Sequence, residues 1–77
     1  MTQKELNLLI GKNIKKYRLL NKNKITQEKL AELANVSVSL ISNLESNKST
    51  KGISIRNLYK ISIILDTPIN KFFEDNE

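Results

Sequence analysis

Val38, Ser39, Ser42 and Asn43 fall on one face if the segment from Val38 to Glu45 is helical, because residues three and four apart neighbour each other on a helix. Together they offer an apolar group, two hydroxyls and a carboxamide, a set suited to the edges of nucleic-acid bases. Valine packs on a thymine methyl, serine donates or accepts, and the asparagine amide matches the donor and acceptor of adenine. No arginine stands on this helix, so the bidentate contact to guanine is missing. Any preference would rest on A·T pairs, apolar contact and duplex shape. Just beyond lie Ser46, Asn47, Lys48 and Lys51, candidates to grip phosphates on either side of such a helix. The plainer alternative is that these polar groups are only solvated.

Catalytic chemistry finds no support. The chain has no His and no Cys, its carboxylates are mostly separated or gathered in the tail, and Gly11 and Gly52 are too far apart to form a phosphate-cradling loop. Glu28 and Glu32 share a helix face, but an acid–base or metal site would need further converging ligands. Neither an enzyme, nor a cofactor, nor a metal site is expected.

The elements that must position the polar face are legible around it. Two short helical patterns, Gln27 to Ala34 and Val38 to Glu45, meet at a three-residue turn, the outline of a helix-turn-helix. Ala31 and Ala34 supply the small side chains that a steep helix crossing needs. Asn35 stands where the first helix must end in a left-handed conformation, which asparagine tolerates next best after glycine. Val36 points back to the core and Ser37 can cap the second helix. Leu30, Leu33, Ile41 and Leu44 complete the expected buried set at helical spacing.

With its flanks this stretch resembles the Cro/repressor-type helix-turn-helix family of lambda-repressor-like bacterial and phage regulators. The likeness rests on Ile-Gly-x-x-Ile-x-x-Tyr-Arg (Ile10 to Arg18), Thr-Gln-Glu-x-Leu-Ala (Thr26 to Ala31), Val-Ser then Ile-Ser-x-Leu-Glu (Val36 to Glu45), Ile-x-x-Leu-x-x-Ile (Ile55 to Ile61), and the Asp-Thr-Pro-Ile-x-x-Phe-Phe ending. Asn35 replaces the family's usual glycine, and the loops before Ile25 and after the second motif helix are about two residues longer than usual, within the ordinary scatter of helix connections. The resemblance implies that Gln27 contacts a phosphate and braces the recognition helix. It also implies that Arg18 faces Glu45 as an orienting pair, the alternative being that Arg18 reaches a phosphate.

The whole chain, residues 1–77, reads as one all-α domain with five helices: Thr2 or Glu5 to Asn21, the two motif helices, a fourth from Ser54 to about Leu65, and a short last one opened by Thr67 and Pro68. Thr2 and Glu5 are spaced for a capping box. Leu6, Ile10, Ile14 and Tyr17 form the first inward stripe, and Ile55, Leu58, Ile61 and Leu65 the fourth helix's. A chain of 77 residues lies near the lower limit for a core without staples, and without cysteine no disulfide can help. No apolar run is long enough to span a membrane and no leader pattern opens the chain, so a cytoplasmic location is expected.

Thirteen Lys and Arg against eight Asp and Glu give net +5. Residues 1–60 carry +8 and residues 61–77 carry −3, which sets the positive field with the motif, where a polyanion would be drawn. The apolar residues of 59–77 exceed what the core needs, and Ile64, Ile69, Phe72 and Phe73 are the expected homodimer interface. The sequence thus reads as a regulator of double-stranded DNA, a repressor that binds a palindromic operator as a homodimer. The rival is a protein-interaction module such as an antitoxin or anti-repressor. Few aromatics are present to stack single-stranded bases, which disfavours RNA.

Overall fold

The computed structural model describes residues 1–75, so the last two positions of the expected 59–77 interface lie outside the described residues. Helix α1 spans Gln3–Leu20 and opens on a reciprocal cap. Thr2 Oγ1 accepts from the Glu5 amide at 3.1 Å, and the Thr2 amide donates to Glu5 Oε1 at 2.9 Å, so two amides that no helical carbonyl can reach are satisfied. Helices α2 (Gln27–Ala34), α3 (Val38–Glu45) and α4 (Ile55–Ile64) each start at a hydroxyl, Thr26, Ser37 and Ser54, that accepts from the amide three residues on.

The fifth expected helix is not an α-helix. Ile69–Phe73 is a single 3₁₀ turn, which leaves four α-helices and this turn among the described residues. Its closing bonds run three residues back, from Lys71 to Pro68 and from Glu74 to Lys71. The segment is too short to repay α-helix nucleation, and the Asn13 amide of α1 takes the carbonyls of Phe72 and Glu74 at 2.9 and 2.8 Å. Pro68, not Thr67, occupies the cap position; the Thr67 hydroxyl donates back to the Leu65 carbonyl.

One core joins all five elements: Ile10 and Ile14 of α1, Leu30, Ala31 and Ala34 of α2, Ile41 and Leu44 of α3, Leu58 and Ile61 of α4 with Leu65 after it, and Phe72. Phe72 is fully enclosed and meets Tyr17 edge-on at 5.5 Å. Its expected place at a dimer interface is therefore corrected, since the 3₁₀ turn drives the ring inward and leaves Phe73 exposed. Leu33 and Ile55, expected inside, are exposed as well. Leu30, Ala31 and Ala34 already fill the inward face of α2, and Ile55 begins a separate stripe with Tyr59 and Ile63, four residues apart along the outer side of α4.

At Gly11, helices α1 and α3 touch without a side chain between them. A Cβ at Gly11 would overlap the Leu44 carbonyl, so only glycine lets α1 lie against the backbone of α3 at that crossing. No helix among the described residues is long and apolar enough to cross a membrane.

Candidate nucleic-acid interface

The turn between α2 and α3 is built by two backbone devices. Asn35 adopts φ 55° and ψ 46°, the left-handed region, and behind it the Val36 amide reaches the Ala31 carbonyl at 3.0 Å, closing the end of α2 as a helix-terminating wrap. Ser37 then restarts the helix, its Oγ accepting from the Leu40 amide at 3.1 Å. Ile41 and Leu44 face the core, and Val38, Ser39 and Asn43 are left exposed on the opposite side. Ser42 is half-buried.

A carboxylate at the end of α3 holds the helix in place. Glu45 Oε2 accepts from Arg18 Nε at 2.8 Å, and Oε1 accepts from Arg18 Nη2 at 2.7 Å and from Gln27 Nε2 at 2.9 Å. Arg18 also donates to the Ile25 carbonyl at 3.1 Å. The structure therefore brings Arg18, Glu45 and Gln27 into one network that ties α1, the loop before α2, and the first residue of α2 to the last residue of α3. The ion-pair side chains are nearly enclosed, 10% and 3% exposed. Hydrogen bonding to Glu45 outweighs the burial and raises the arginine above its ordinary value. A pair of this kind fixes orientation more than it adds net stability. Gln27 spends one amide proton on Glu45 and keeps a second, at a helix start where the partial positive charge favours an anion.

Past α3, the hydroxyl of Ser46, an expected phosphate donor, donates in the free protein to the Ser42 carbonyl at 2.8 Å, sealing the helix end. Asn47 takes a left-handed φ of 62° and the Lys48 amide closes onto the Asn43 carbonyl at 2.8 Å. Lys48 and Lys51 are exposed, and both line a hollow of about 260 Å³ shared with Ser39 and Asn43. On its other side the same loop walls a second hollow with the start of α1, whose residues Lys4 and Asn7 were not singled out in the sequence. No local pattern points to them, since they stand forty or more positions from the loop they face.

A helix-turn-helix family model matches residues 14–72 of the chain. The chain belongs to that family. This family of DNA-binding transcription regulators fits the turn, the caps and the outward polar face described above. A search of curated proteins finds no match. The fold is similar to the crystal structure of the restriction-modification controller protein C.AhdI from Aeromonas hydrophila, with a TM-score of 0.74 and 22% identity over 87% of this chain and 96% of that one.

Proposed function

We propose that this protein is a repressor that binds a palindromic operator in double-stranded DNA as a homodimer, with α3 in the major groove. The observation that carries the reading is the outward set Val38, Ser39 and Asn43 on a helix whose far end is fixed by the Arg18–Glu45–Gln27 network. In this reading Val38, Ser39, Asn43 and the half-buried Ser42 meet base edges, and Gln27, Asn47, Lys48 and Lys51 meet phosphates. Ser46 contributes only by ending α3.

The two-fold contact is assigned to the outer side of α4. Ile55, Tyr59 and Ile63 are 66%, 57% and 62% exposed, and a hollow beside them is lined by Ile69. Of the residues expected there, Ile64 and Ile69 are half-buried and Phe73 is exposed. A C2 pairing would set the two copies of α3 roughly 34 Å apart, one turn of duplex, and select inverted half-sites.

Selection of bound sequences from a random duplex pool, with sedimentation of the free protein, tests both parts. Enriched inverted repeats and a dimer at micromolar concentration are expected. A second reading, a protein-interaction module such as an antitoxin, is favoured by the same apolar ridge, and a pool that yields no enriched sequence would select it.

A further inference from the structure

Between the first two turns of α1 and the loop after α3 lies an open hollow of about 390 Å³, walled by Gln3, Lys4, Asn7 and the loop from Asn47 to Thr50. Asn7 is only 8% exposed, yet its amide has no hydrogen-bond partner among the described residues. Every fully enclosed polar side-chain atom of the described residues does have one, so the Asn7 carboxamide keeps some contact with solvent, and Asn7 is among the residues that line the hollow. Leaving such a group unpaired is costly unless a ligand or water completes it. The loop is pinned over Asn7 by Gly52. Its φ of +75° is the left-handed region, and a Cβ there would come within 2.5 Å of Asn7 Oδ1. Gln3 Nε2 adds a long contact to the Lys51 carbonyl at 3.5 Å.

The electrostatics of the hollow favour an anion. Lys4 and Lys48 flank it and no carboxylate lines it; the nearby Glu5 is turned to the Thr2 amide and lines a different hollow, with Leu8, Lys12 and Asp75. Lys48, Ser49 and Thr50 also wall the neighbouring hollow that contains Ser39 and Asn43, so the anion site is continuous with the base-reading face. That continuity selects a polymer phosphate.

Resting on the DNA-binding reading above, we propose that this hollow seats one backbone phosphate of the duplex, with the Asn7 amide donating to a non-bridging oxygen and Lys4 and Lys48 neutralising its charge. It gives α1 a part in DNA binding beyond buttressing α3.

The test compares wild type, Lys4→Ala and Asn7→Ala on the selected duplex and on a scrambled one across a salt series. Lys4 is exposed, so its variant stays folded even if Asn7→Ala does not. Both changes are expected to weaken the two duplexes by a similar factor, roughly tenfold, and Lys4→Ala to reduce the log–log salt slope by about 1. A methylphosphonate at one backbone position should weaken wild type but not Lys4→Ala. Wild-type affinity and slope in Lys4→Ala, with no methylphosphonate position whose effect disappears in it, would overturn the proposal. If wild type binds no duplex at all, the DNA reading and the DNA occupant fall together. Titration with inorganic phosphate, followed by amide shifts, then decides the rest. Shifts confined to Lys4, Asn7 and the 48–50 loop support a free-anion site, and their absence removes the site altogether.

Discussion

The outer faces of α3 and α4 are both exposed, yet they are made of opposite materials. On α3 the outward residues are small and mostly polar, Ser39 and Asn43 with one valine; on α4 they are large and apolar, Ile55, Tyr59 and Ile63. The short side chains of α3 suit a hydrated groove, in which contacts are made by single hydrogen bonds and the helix backbone approaches closely. The ridge on α4 gains free energy only by leaving water, at about 25 cal/mol per Å² of apolar surface covered. The lesson is that exposure alone does not define a site: in the proposed reading one face meets a polyelectrolyte and the other a surface of its own kind.

The support beneath the two faces differs too, and breaking it on one side should have the largest effect. Arg18→Ala would leave Glu45 nearly enclosed without its counter-charge, at a cost of about 3 kcal/mol in chemical denaturation. Binding to every duplex should fall as well, because α3 loses its tether. A double-mutant cycle with Glu45→Ala reads the coupling, and a coupling near zero would mean that the network leaves α3 indifferent.

Next in size are the contacts of the α3 face itself. Asn43→Ala should weaken the cognate duplex by about 1–3 kcal/mol and relax choice at one base pair, whereas Lys48→Ala should weaken cognate and scrambled duplexes alike. Equal losses on both duplexes for Asn43→Ala would remove that residue from the base-reading set.

On α4 the expectation reverses. Tyr59→Asp changes an exposed residue and should alter monomer stability by no more than about 0.5 kcal/mol, while sedimentation at micromolar concentration should report monomer in place of dimer. Asn43→Ala should leave that profile untouched. A wild-type monomer that protects a single half-site would erase the assigned role of the ridge and leave the α3 face intact.

The smallest effect lies away from both faces. Hydrogen bonding from the Thr2 backbone holds the Glu5 carboxyl below its ordinary 4.5, so its ionised form is the one the fold favours. Its contribution is complete above the unfolded value and disappears as pH falls through the lower folded one. The melting-temperature difference between wild type and Glu5→Gln should therefore shrink below about pH 4.5, and a difference that stays constant down to pH 3 would show that the charge of Glu5 plays no part.

The helix-turn-helix was legible because its determinants are local. Asn35 marks a left-handed stop, Ser37 a restart, and Ala31 and Ala34 the crossing, all within seven residues. What escaped the sequence depends on distant partners. Periodicity proposes stripes on α4 without saying which meets the core, and Ile55, which its spacing from Leu58 puts inward, belongs with Tyr59 and Ile63. Which of the adjacent Phe72 and Phe73 turns inward is decided by a 3₁₀ turn whose carbonyls are captured by Asn13, 59 and 61 positions away. The hollow at Asn7 was invisible for the same reason, since it exists only where the two ends of long separations meet. At Ser46 a local competitor is present that residue type alone does not reveal: the hydroxyl donates to the carbonyl one helical turn back.

Gly11 gives the molecule a mechanical property. Where side chains separate two helices, rotamer changes can absorb a small slide of one against the other; at the Gly11–Leu44 crossing there is no such cushion. A push on the reading helix passes straight into the eighteen-residue rod behind it, and from there, through Asn13, to the carbonyls of the 3₁₀ turn. If α3 enters a groove as proposed, adaptation to the duplex is left to the loops and outward side chains, with α1 and α3 held together at this crossing.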